Sequence, residues 1–100
     1  MTQLIQTNIS AIKVLLNKYD IEEAYLFGSA ASGNFNDESD VDFLIKFKAN
    51  LDYVTYSDNY FALMYAMQEL LKREVDLVAE ETLSNPYLIA SINKNKVRLI

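Results

Sequence analysis

One hundred residues leave room for one domain, and a domain of that size buries only about two-thirds of its unfolded surface. The chain is suited to that demand, with 51% hydrophobic and 12% aromatic residues against two glycines and one proline, which argues against intrinsic disorder. It has no cysteine and no histidine, excluding disulfides, thiolate metal sites and histidine acid–base chemistry, and its net charge of −5 argues against a nucleic-acid-binding surface.

Leu4/Ile5, Ile9, Ile12 and Leu15/Leu16 recur at helical spacing, so residues 3–18 read as an amphipathic helix that ends at Tyr19-Asp20. Glu23 to Phe27 is a short apolar run stopped by Gly28-Ser29, the pattern of a buried strand, and Glu22 and Glu23 read as its solvated start. Residues 30–39 are small and polar and suit a helical turn ending at Gly33, followed by a loop. Val41 to Phe47 is the clearest strand. Val41, Phe43, Ile45 and Phe47 alternate with Asp40, Asp42, Leu44 and Lys46, so one face is apolar and the other carries two carboxylates.

Ser57-Asp58-Asn59 offers caps for a helix to Arg73, with Tyr60, Leu63/Met64, Met67 and Leu70/Leu71 as its stripe. Phe61 and Tyr65 lie off that stripe, one turn apart, compatible either with burial in a small core or with a partner-binding face. Val75 to Ala79 is a further strand, Asn85-Pro86 caps and opens a helix to Asn93, and Val97 to Ile100 reads as a closing edge strand. This order predicts an α/β (α+β) fold, a small mixed sheet with helices mainly on one face. No apolar run approaches the roughly 20 residues of a membrane span. The N-terminus also lacks a signal peptide's basic start and apolar block, so the expected compartment is the cytoplasm.

The chemistry concentrates between residues 26 and 45. Gly28 lets the backbone turn sharply out of a strand and approach a ligand closely. Ser29 opens a helical turn whose free N–H groups and hydroxyl suit an anion. Asp40 and Asp42, two apart on a strand, point the same way with Cα atoms roughly 6–7 Å apart. Carboxylates so aimed repel and resist desolvation unless a cation sits between them, and magnesium fits best where phosphates complete its shell.

The run Leu26-Phe27-Gly28-Ser29, ten residues, then Asp40-Val41-Asp42 resembles the DNA polymerase β-like nucleotidyltransferase superfamily, and within it the minimal (MNT) nucleotidyltransferases. The likeness extends over residues 1–100 as a single domain. It implies that Gly28 and Ser29 hold the β- and γ-phosphates of ATP, with Ser39 also at the nucleotide. It implies that Asp40 and Asp42 bridge two magnesium ions, with Asp76 as third metal ligand and as the group that helps deprotonate the acceptor. For Asp76 a surface ion pair with Lys72 or Arg73 is the competing reading. Members of the family commonly carry arginine just before the second glycine. Ser32 stands there in this chain, and no basic residue lies between Lys18 and Lys46.

Larger members append domains that grip an acceptor, whereas this chain is taken up by the nucleotide-binding core. The resemblance therefore implies a partner, a HEPN-domain toxin for which this protein is the antitoxin and on which it adenylylates a tyrosine. Two other readings stay open: an antitoxin that acts by occlusion with a weak or silent site, and a small-molecule (antibiotic) nucleotidyltransferase. Neither direct nucleic-acid binding nor membrane binding is expected.

Overall fold

A computed structural model describes all of residues 1–100. Helix α1 (Gln3–Lys18) is capped by Thr2, whose hydroxyl accepts from the Ile5 N–H at 3.3 Å, and it buries Ile5, Ile12 and Leu16. Asp20, with φ of 65°, turns the chain into strand β1 (Ile21–Phe27). The Asn59 amide holds that turn by donating to the Tyr19 carbonyl at 3.2 Å and to the Asp20 carboxylate at 2.9 Å. Strand β1 thus begins two residues before the expected Glu23, with a register shift between Ile21 and Glu23. Glu22 and Glu23 form surface ion pairs with Lys46 and Arg98.

A single helical turn, α2 (Ser29–Ser32), ends at Gly33 in the left-handed conformation expected of it. Strand β2 (Val41–Phe47) follows the loop. Helix α3 (Tyr53–Leu71) starts a turn earlier than Ser57-Asp58-Asn59 suggested, because Asp52 is the cap: its carboxylate accepts from the Thr55 N–H at 2.7 Å. Nothing between residues 53 and 57 breaks a helix, so the earlier cap prevails. Helix α3 ends at Leu71 rather than Arg73, with Lys72 at positive φ. Strand β3 (Val75–Ala79), a 3-10 turn (Glu80–Thr82), helix α4 (Pro86–Asn95) and strand β4 (Val97–Arg98) complete the chain. Asn85 caps α4 by accepting from the N–H groups of Tyr87 and Leu88, with Pro86 in the first turn.

The sheet order is β3-β2-β1-β4. Strand β1 is antiparallel to both β2 and β4, while β2 and β3 run parallel. Helices α1 and α3 pack together on one face, over Val41, Phe43, Ile45 and Leu77, and the buried core is continuous there. On the other face Leu44, Leu83 and Ile92 line a small cleft beside α4. Phe43 is fully buried at the centre of β2. Phe43→Ala is expected to cost about 3–5 kcal/mol, read as a lower midpoint in urea unfolding with an unchanged slope.

Candidate active site

The site forms where three chain segments meet at one end of the sheet. Antiparallel pairing sets Phe27 of β1 opposite Asp42 of β2, so Gly28 leaves the sheet beside that carboxylate. Parallel pairing sets Asp76 of β3 opposite Asp42 on the other side. Partners on adjacent strands lie about 4.8 Å apart and share a face, so Asp42 and Asp76 stand side by side. Asp40, just before β2, adds a third charge.

Asp42 is half-buried in this crowd. Its carboxyl is pushed up from the ordinary 3.8 to about 6, first by burial, then by the charges of Asp76 and Asp40. No cation relieves it, since the ion pairs of the chain join Lys46 to Glu22, Arg73 to Asp37 and Arg98 to Glu23. The ion-pair reading of Asp76 therefore fails. Arg73 instead clamps the loop before Asp40, donating to the carbonyls of Asn36 at 2.7 Å and Ser39 at 2.9 Å and lying 4.3 Å from the centre of the Phe35 ring.

Gly28 is required twice over. Its φ is +71°, and a Cβ placed there would overlap the Asp42 carboxylate, standing 3.2 Å from its Cγ. Ser29 begins α2 immediately after it, and Phe27, Gly28, Ser32, Ser91 and Asn95 line a cleft of about 240 Å³ between α2 and α4. The Ser39 hydroxyl accepts from the Asn36 N–H at 3.0 Å, which leaves its own proton available to donate. Lys46 is paired with Glu22 at 3.8 Å, away from the carboxylates.

Comparisons with known proteins identify the family. The family described as polymerase beta, nucleotidyltransferase matches residues 10–100. The chain belongs to the polymerase beta nucleotidyltransferase family. It is similar to a provisionally named protein adenylyltransferase of Methanocaldococcus jannaschii, 34% identical over 85 residues that make up 85% of this chain and 83% of the relative. Among solved structures, a chain of a toxin–antitoxin complex crystallised with AMP-PNP shares the fold with a TM-score of 0.74, at 25% identity over 93% of this chain and 73% of that one. A chain from the complex of tri-AMPylated Shewanella oneidensis HEPN toxin with MNT antitoxin shares the fold at a TM-score of 0.67, 24% identical over 95% and 71% of the two chains.

In this nucleotidyltransferase no three carboxylates converge into a closed protein cage for a metal. Magnesium does not require one. It binds through one or two carboxylates, with substrate phosphates and water completing the shell. Asp42 and Asp76, side by side and unpaired, fit a magnesium-bound triphosphate rather than a free ion. Two contributors escaped the sequence reading. Arg73, the loop clamp, reaches across more than thirty residues, and Tyr60 donates to the Leu77 carbonyl at 2.6 Å. The Tyr60 hydroxyl titrates above its usual value, through burial first and then the Asp76 charge.

Asp42 takes up its proton more readily folded than unfolded, so its charge destabilises the metal-free protein above about pH 6, and the penalty disappears below about pH 4. Solvent screens a half-exposed carboxylate, so Asp42→Asn should raise metal-free stability at pH 7.5 by about 1 kcal/mol. Thermal melts should show that gain shrinking towards pH 4, and magnesium with ATP should raise the melting midpoint of the wild type only. Gly28→Ala should cost about 1–3 kcal/mol through strain at positive φ and lower nucleotide affinity at least tenfold, as read by calorimetric titration.

Proposed function

We propose that this chain transfers AMP from ATP to a hydroxyl group on a protein partner. In this reading Asp40, Asp42 and Asp76 hold two magnesium ions, and Gly28, Ser29 and Ser39 hold the nucleotide. The 100 residues act as one catalytic domain, in the cytoplasm, as the antitoxin of a HEPN-domain toxin. The observation that carries the proposal is the unpaired carboxylate group centred on Asp42 and Asp76, whose mutual repulsion a bound cation would relieve. The M. jannaschii relative supports a protein acceptor, and the toxin–antitoxin complex with AMP-PNP supports both ATP and a toxin partner.

The residues divide the work by position. The Gly28–Ser29 turn binds and orients the phosphates, with bare backbone at Gly28 permitting close approach. Asp76 accepts the proton of the acceptor hydroxyl. As that oxygen forms its bond to the α-phosphorus, the bond to the β-phosphate bridge breaks, and pyrophosphate leaves with the electron pair. Bound magnesium would supply charge neutralisation for both the entering and the leaving oxygen.

A second reading is favoured by one observation. No basic side chain lies between Ser29 and Asp40, and Lys46, Arg73 and Arg98 are all engaged elsewhere. A weakened nucleotide site would leave an antitoxin that acts by covering its toxin. Incubation with labelled ATP, magnesium and a HEPN-domain protein, sought first in the neighbouring reading frame, separates the two. Label on the partner that disappears with Asp42→Ala is the expected result; a tight complex that is never labelled rejects catalysis.

A further inference from the structure

Beyond Asp76 the sheet ends. Strand β3 is an edge, and the groove along it has no assigned role. Tyr53, Tyr60 and Phe61 of α3 form one wall and Leu77 and Val78 of β3 the other, enclosing about 340 Å³. The rim is apolar and open to solvent: Tyr53 is 83% exposed and Phe61 49%. The burial alternative for Phe61 therefore does not hold.

The backbone of that edge is free to pair in part, since the Leu77 and Ala79 carbonyls already accept from Tyr60 and Thr82. The Val41 N–H donates to the Glu74 carbonyl, so alternate residues Glu74, Asp76 and Val78 face β2, while Val75, Leu77 and Ala79 face outward. Tyr60 donating to the Leu77 carbonyl confirms the direction. An extended segment laid along this edge would place one residue opposite Asp76, on the face shared with Asp42. The neighbouring residues of that segment would point to the opposite face, into the aromatic groove.

The direction of the chemistry agrees. The proposed phosphate site lies at Gly28, beside β1, and the sheet runs from there through Asp42 to Asp76 and then to the free edge. In-line displacement requires the entering oxygen to arrive opposite the leaving pyrophosphate. The acceptor must therefore enter from the β3 side.

Charge restricts the occupant. Asp52 and Asp58 stand exposed in the chain beside the lining residues Tyr53 and Ser57, Glu81 accepts from the lining Tyr56 hydroxyl, and no lysine or arginine lines the groove. A second copy of this chain, at net charge −5, would be repelled. We infer that the groove between α3 and the free edge of β3 docks an extended, basic segment of the partner protein, with its acceptor hydroxyl over Asp76 and an adjacent apolar side chain among Tyr53, Tyr60 and Phe61. This inference rests on the proposed protein adenylylation and deepens it.

The test uses the full chain with the same HEPN-domain protein. Tyr53→Ala combined with Phe61→Ala alters two exposed side chains, so the fold should survive, as checked by an unchanged thermal midpoint. The KM for the protein acceptor should rise at least tenfold while the Kd for ATP stays constant. Independently, partner binding should slow hydrogen exchange at the Leu77 and Ala79 amides. An unchanged KM, or protection confined to α1 or α4 with none on β3, overturns the docking site. Labelling that still requires Asp42 in that case leaves the proposed function standing. An unlabelled partner that nevertheless protects Leu77 and Ala79 rejects the activity and keeps the groove.

Discussion

Electrostatic crowding at Asp42 is the constraint around which the remaining structure is organised. Both neighbours of β2 contribute to it, since the parallel strand delivers Asp76 and the antiparallel strand delivers the exit at Gly28. The backbone must be bare at residue 28 because the Asp42 carboxylate fills the space of a side chain. A fold optimised for stability alone would place a lysine or arginine here. Instead the site holds charge that no basic side chain of the chain offsets, a local violation of the kind expected where function rather than folding sets the residue. The apolar face of the same strand supplies the counterweight: Val41, Phe43 and Ile45 are fully buried, so β2 stays in place despite its acidic side.

Cation placement shows the same logic on a larger scale. Arg73 holds residues 36–39 by their carbonyls, fixing the approach to Asp40. Lys46 and Arg98 pair with Glu22 and Glu23 on β1, and Lys96 lies 4.3 Å from the Tyr25 ring centre. Each serves the scaffold. Under the proposed function, the charge of a triphosphate must then be met largely by divalent ions and by backbone N–H groups, making this site more dependent on metal than one furnished with a bidentate arginine.

Short-range pattern made much of this legible. Strict alternation from Val41 to Phe47 placed the carboxylates opposite the core, and Gly33 and Asn85-Pro86 marked helix ends that the structure keeps. The start of α3 was not legible, because Asp52 and Ser57-Asp58-Asn59 are competing caps and only the former is used. Long-range geometry was harder still. Periodicity describes one strand at a time and cannot say that β2 lies between β1 and β3. The adjacency of Asp42 and Asp76, the loop clamp of Arg73 and the exposure of Phe61 all depend on that order.

The two edges of the sheet are treated differently, and the difference bears on the tendency of an open edge to pair. Strand β4 is two residues long, and beyond it the chain bends so that Leu99 and Ile100 bond to Ala24. Strand β3 is longer, with outward-facing backbone groups and an aromatic rim, the features that make an edge prone to aggregation. Two devices limit the hazard. Side chains already occupy part of the edge, Tyr60 on the Leu77 carbonyl and Thr82 on the Ala79 carbonyl. The acidic rim then adds like-charge repulsion against a second copy. In the proposed docking, a basic segment meets attraction from the same charges. The open edge beside Asp76 is thus one whose charge discriminates between occupants, opposing a like-charged strand and favouring a basic one.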